Sequence, residues 1–139
     1  MAEDRRARFI IVGLANTALD FAILFLLTSF DMPVFLANVI STGVAFIFSF
    51  VANRSFTFRA DGDARKQILK FAVVTLVGLW LLQPAVIWAL TALLAEAITQ
   101  PLALLIGKAG ATVVSMLWNY ILYARFVFPP AARSAEVLE

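Results

Sequence analysis

Asp20 and Lys108 are ionisable residues set inside long apolar runs, with Asn16 and Asn119 one to three helical turns away. The run around Asp20 reads FIIVGLANTALDFAILFLLTSF, about 22 residues or roughly 33 Å as a helix, enough to cross a bilayer core. An ionised carboxylate at mid-membrane costs about 2.5–3.5 kcal/mol on insertion scales, so a span that keeps one is expected to use it. Gly13, Asn16, Thr17 and Asp20 recur at helical spacing on one face. Asn38, Ser41, Thr42, Ala45, Ser49 and Asn53 form a second stripe, and Lys108, Ala111, Thr112, Ser115 and Asn119 a third. Thr75 and Gly78 give only a weak one. Small and hydroxyl residues at such spacing serve helix packing in lipid, or they line a polar path. Packing alone does not explain Asp20 and Lys108.

Depth brings those two together. Asp20 lies ten residues, about 15 Å, from the Phe30 end of its run, and Lys108 about 10 Å from the Pro101 end of its own. The difference is within reach of a Lys side chain, and a pair would lessen the cost of both charges. Such a pair either holds the helices together or opens a mid-membrane site to an anionic or polyhydroxylated headgroup.

A second constellation gathers at the ends of the runs. Arg8, Arg54, Arg59, Lys70 and Arg125 stand among Phe56, Phe58, Tyr120, Tyr123, Phe126 and Phe128. This pattern fits topology charges with an aromatic belt. It also fits a lipid-phosphate site, because guanidinium forks match phosphate oxygens. Arg54 and Arg125 each lead into a Phe-x-Phe, and Arg8 opens the first span.

The elements that must position these residues are four spans, near 9–30, 34–52, 71–94 and 101–123. Asp31–Pro33 makes a tight turn, 53–70 a polar loop and 96–100 a short one. The tail 129–139 has no apolar pattern and is expected to be disordered. Pro84, inside the third span, removes a helix hydrogen bond and predicts a kink. The 139 residues are 63% hydrophobic and 14% charged, with mean hydropathy +0.93, against about 45–50% apolar in a soluble domain. We therefore expect one all-α transmembrane domain over 1–139, a polytopic membrane protein with four transmembrane helices. The first run is too long for a cleavable signal peptide.

Ten of the eleven Lys and Arg residues lie in the leader, the 53–70 loop and the C-terminal segment; the other two loops hold only Asp31 and Glu96. That bias predicts both termini and the 53–70 loop on the cytoplasmic side. The halves also echo each other. Arg8-Phe9 opens the first span and Lys70-Phe71 the third. Ser49-x-x-x-Asn53 then Phe56-Thr57-Phe58 closes the second, and Ser115-x-x-x-Asn119 then Phe126-Val127-Phe128 the fourth. Two spans per half predict parallel repeats. Aligning the Ser-x3-Asn motifs puts Lys108 where Thr42 stands in the first half.

The chain has no Cys and no His, which removes disulfides, thiolate metal sites and the usual general base. No Gly-rich phosphate loop, paired carboxylates or nucleophile–base set is present. No enzyme, no cofactor, no bound metal and no nucleic-acid partner are expected, since the basic residues flank membrane spans.

These residues resemble the GtrA-like family of small four-span bacterial membrane proteins. The match runs from Arg8-Phe9-Ile-Ile-Val-Gly13-x-x-Asn16-Thr17-x-x-Asp20 through Ala37-Asn38 and Ser49-Phe50-x-x-Asn53-Arg54-x-Phe56-Thr57-Phe58, then Lys108, Asn119 and Arg125-Phe126-Val127-Phe128. Asn53-Arg54 are adjacent, whereas Asn119 is separated from Arg125. The resemblance implies flipping of polyprenyl-phosphate-linked monosaccharides, such as undecaprenyl-phosphate glucose, across the bacterial cytoplasmic (inner) membrane for cell-surface polysaccharide synthesis, with a membrane glycosyltransferase as partner. It also admits a scaffold that recruits such an enzyme. On the transport reading, Arg54 with Arg8 or Arg125 holds phosphate, and Asn16, Asp20, Asn38, Lys108 and Asn119 line the headgroup path. Four helices are few to enclose a sugar, so a homodimer of parallel protomers is expected. A small multidrug-type exporter would use Asp20 as a proton site, but Lys108 nearby would compete with its cation.

Overall fold

Apolar runs of this length satisfy their own backbone groups by folding as helices, since lipid offers no partner for a free N–H or C=O. The computed structural model describes residues 2–130 and follows that rule. No strand occurs among the described residues. Four helical segments are long and apolar enough to cross a membrane: Glu3–Ser29, Val34–Thr57, Ala64–Leu94 and Gln100–Val127. The chain is an all-helical, multi-pass membrane protein. It divides between Asp61 and Gly62 into two compact units.

In the first unit, α1 (Ala2–Ser29) packs against α2 (Val34–Ala52). The helix begins well before Phe9, because nothing in the polar leader breaks it. Between the helices Asp31 takes a left-handed φ of 59°, a conformation Asp tolerates better than most residues. The Leu27 carbonyl accepts from Phe30 N at 3.2 Å and Met32 N at 3.3 Å. Pro33 then precedes α2 with an extended ψ of 132°.

α2 does not stop where its apolar run ends. Its last turn, Asn53–Thr57, widens into a π-turn in which Phe58 N donates to Asn53 O, five residues back, at 2.8 Å. The polar loop expected over 53–70 shrinks accordingly to the residues between Thr57 and Ala64.

In the second unit, α3 (Ala64–Val77) starts on an Asp N-cap, with the Asp63 carboxylate accepting from Arg65 N at 2.9 Å. A π-turn, Gly78–Leu82, joins α3 to α4 (Gln83–Leu94). It sits directly before Pro84, which has no N–H to donate and whose ring would crowd the Trp80 carbonyl in a regular helix. α5 (Gln100–Leu122) packs along α4 and ends in a third π-turn, Tyr123–Val127, with Phe128 N donating to Tyr123 O at 2.7 Å. Of the tail, 131–139 lies outside the described residues.

Helix approach relies on small residues. Ala103, Gly107, Ala111 and Ser115 form the buried stripe of α5, and a Cβ on Gly107 would stand 3.3 Å from the Ile87 carbonyl oxygen of α4. Large apolar side chains face outward instead, with Phe35, Trp80, Trp88 and Leu93 each more than 70% exposed. Water would not tolerate such an exterior, and lipid requires it.

Candidate functional site

Within the first unit, Asn16 and Asp20 stand one turn apart on α1 and are half-buried. The Oδ1 of each is enclosed without a hydrogen-bond partner. Their stripe mate Thr17 is exposed and turns its hydroxyl back to Gly13 O at 3.0 Å. Asn38 on α2 is exposed, whereas Ser41 is fully buried and donates to Asn38 O at 3.1 Å. Asn53 is also buried; its Nδ2 donates to Ser49 O at 2.8 Å, while its Oδ1 and the Thr57 hydroxyl are enclosed without a partner.

Within the second unit, Lys108 is exposed and Asn119 half-buried. Asn119 Oδ1 is a further enclosed acceptor without a donor, and it lies close to Gly78, where a Cβ would stand 3.2 Å away. Side-chain hydrogen bonds cross between the helices here. Gln83 Nε2 donates to Ser115 Oγ at 2.8 Å, Trp118 Nε1 to Val74 O at 3.1 Å, and the Thr75 and Tyr123 hydroxyls share a bond of 2.6 Å. Asp20 and Lys108 belong to different units.

The π-turns at the ends of α2 and α5 carry the second constellation. In the first unit, Arg8 Nη1 reaches Phe56 O at 3.4 Å, with its guanidinium 5.6 Å from the Phe56 ring centroid. In the second, Lys70 Nζ reaches Phe126 O at 3.4 Å and stands 4.7 Å from the Phe126 centroid. Phe9 meets Phe58 with centroids 6.4 Å apart, and Phe71 meets Phe128 at 6.3 Å. Each cation supplies a donor to a carbonyl of a last helical turn, where intrahelical donors run out, and it complements the negative end of the helix dipole. Arg8 thus comes to the turn that carries the half-buried Arg54; Arg125 is exposed on the corresponding turn of the other unit.

The buried positions of the two units recur at two offsets. Buried Ala37 and Gly107, Ser41 and Ala111, Ala45 and Ser115, Asn53 and Tyr123, Thr57 and Val127 are each 70 positions apart. The two Ser-x3-Asn motifs are 66 apart. At 66, Ala37 falls on Ala103, Ser41 on Gly107, Ala45 on Ala111 and Thr57 on Tyr123, which are likewise buried in both units. The four-residue difference is about one helical turn, so both registers place the same face inward and burial fits either one.

Sequence reasoning passed over Arg5 and the role of Lys70. The Arg5 guanidinium carbon is 6.0 Å from the Phe58 centroid, and its Nε is enclosed without a hydrogen-bond partner. Its spacing of three from Arg8 was the available signal.

Comparison with known proteins agrees with this architecture. The model of the GtrA/DPMS transmembrane domain matches residues 8–128, and the chain belongs to that family. The chain is also similar to the uncharacterized membrane protein YngA of Bacillus subtilis (strain 168), with 29% identity over 133 residues that cover 93% of this chain and 82% of that protein.

Proposed function

We propose that this member of the GtrA/DPMS transmembrane family flips a polyprenyl-phosphate-linked monosaccharide across the bacterial cytoplasmic membrane, without catalysing a covalent step. The observation that carries the reading is that Asn16 Oδ1, Asp20 Oδ1 and Asn119 Oδ1 are among the acceptors enclosed without a donor in segments that otherwise offer lipid an apolar surface. An enclosed acceptor without a donor costs about 1–3 kcal/mol, and sugar hydroxyls are donors that would relieve it as a headgroup passes. In the first unit Asn16, Asp20 and Asn38 serve the headgroup, and in the second Lys108 and Asn119. Arg54, with Arg8 or Arg125, receives the phosphate on the cytoplasmic side. The lipid tail stays in the bilayer against exposed residues such as Leu14 and Phe25. A homodimer encloses the sugar more fully than four helices do, and a membrane glycosyltransferase supplies or uses the lipid.

The scaffold reading draws support from a different observation. Thr17, Ser41 and Thr112 each bond a carbonyl of their own helix, which suits packing better than a polar path. One experiment separates the two. The purified chain is reconstituted in liposomes with polyprenyl-phosphate glucose, and the leaflet occupied by the sugar is scored with a membrane-impermeant reagent. Equilibration between leaflets that requires the chain supports transport. Equilibration no faster than in protein-free liposomes refutes it and leaves the scaffold.

A further inference from the structure

We propose that Arg5, together with Arg8, forms a phosphate-binding site for a lipid headgroup at the π-turn of the first unit. This deepens the transport reading and rests on it. The cation-to-carbonyl contact alone does not make such a site, because it occurs in both units and is explained as a helix cap. The units diverge three residues earlier. Arg5 stands three positions before Arg8, and Gln67 three positions before Lys70. Gln67 is neutral and only 7% exposed, so the position three before Lys70 carries no charge where the position three before Arg8 carries a guanidinium.

Two guanidiniums three positions apart on a helix are neighbours, and like charges at that spacing repel. The ring faces of Phe58 and Phe56 hold both groups near their planes without neutralising either. Arg8 gives the Phe56 carbonyl only one of its five N–H groups, through a long bond of 3.4 Å. Arg5 keeps an Nε–H enclosed with no acceptor. Paired planar forks with unspent donors match phosphate oxygens, and a bound anion would remove their mutual repulsion. Directly beyond Arg8, Ile10, Ile11 and Leu14 are exposed and apolar. A phosphate held by Arg5 and Arg8 therefore lies beside surface suited to a hydrocarbon chain, which favours a lipid phosphate over free phosphate.

The test uses the full chain in phosphatidylcholine nanodiscs and measures equilibrium binding of a radiolabelled short-chain polyprenyl phosphate. Arg5→Gln, which copies the second unit, should weaken binding about tenfold, the scale of one lost charge-assisted hydrogen bond. Arg6→Gln removes the same charge from an exposed neighbour and should leave affinity within about twofold. Arg5→Lys keeps the charge and should recover only part of the loss. Equal losses in Arg5→Gln and Arg6→Gln would overturn the site, because surface potential alone would then account for binding. Inorganic phosphate at concentrations matching the lipid should fail to displace it; displacement at those concentrations would overturn the lipid assignment. The two readings fail differently. Wild-type chain that binds no polyprenyl phosphate refutes the transport reading itself, whereas full binding by Arg5→Gln refutes only the role of Arg5.

Discussion

Gln83 donates from Nε2 to the Ser115 hydroxyl at 2.8 Å, and Ser115 in turn donates to Thr112 O at 3.2 Å. This chain of bonds ties the start of α4 to the middle of α5, immediately beside the π-turn and Pro84. It turns a local break in one helix into a fixed contact with the next.

Ser115→Ala should lower thermal stability in detergent by about 0.6–1.7 kcal/mol, the range of interhelical hydrogen bonds in membrane proteins. Gln83→Leu with Ser115→Ala should be less destabilising than the sum of the two single changes, because no polar group is stranded. Additive losses in a thermal-shift double-mutant cycle would show that the bond contributes nothing.

Glycine positions separate close packing from open lipid surface. Gly107→Ala places a Cβ 3.1 Å from Thr91 Oγ1 and 3.3 Å from the Ile87 carbonyl oxygen, and backbone yields little. It should destabilise by about 1–3 kcal/mol. A Cβ at Gly13 meets nothing within 4 Å, so Gly13→Ala should be neutral or stabilising by up to about 1 kcal/mol through helix propensity. Similar melting temperatures for the two variants would contradict the α4–α5 geometry.

Topology is testable cleanly, since the chain lacks Cys. Single-Cys variants at Asp63 should react with an impermeant maleimide only from the cytoplasmic side, and those at Asp31 and Glu96 only from outside. Labelling of Asp63→Cys in intact cells would reverse the proposed orientation and the side at which phosphate enters.

Arg54→Ala should weaken binding of a polyprenyl-phosphate sugar at least tenfold more than Arg65→Ala, with Arg54→Lys in between, if a guanidinium fork grips the phosphate. Matching affinities for all three variants in a filter-binding assay would leave Arg54 as a topology charge.

Asp20→Asn changes charge with little change in shape. It should leave the melting temperature nearly unchanged or raised, because a carboxylate no longer sits in a low-dielectric span, while slowing leaflet exchange of lipid-linked sugar at least tenfold. Exchange at the wild-type rate would remove Asp20 from the headgroup path.

Much of the architecture was legible in the sequence because lipid imposes a severe rule. Runs such as Phe9–Phe30 must be helical to satisfy their backbone, and their length against the bilayer sets the number of spans. The stripes were legible for a similar reason: helical spacing puts Ala103, Gly107, Ala111 and Ser115 on one face whatever lies opposite. Periodicity does not report the hydrogen-bond pattern within a turn. The π-turns at Asn53–Thr57 and Tyr123–Val127 were therefore invisible. Nor does spacing along one helix say which carbonyl on another a cation will reach. Arg8 on Phe56 and Lys70 on Phe126 bring together residues 48 and 56 positions apart. Only tertiary packing decided those meetings, and only it distinguished Arg5, held over the Phe58 ring, from its exposed neighbour Arg6.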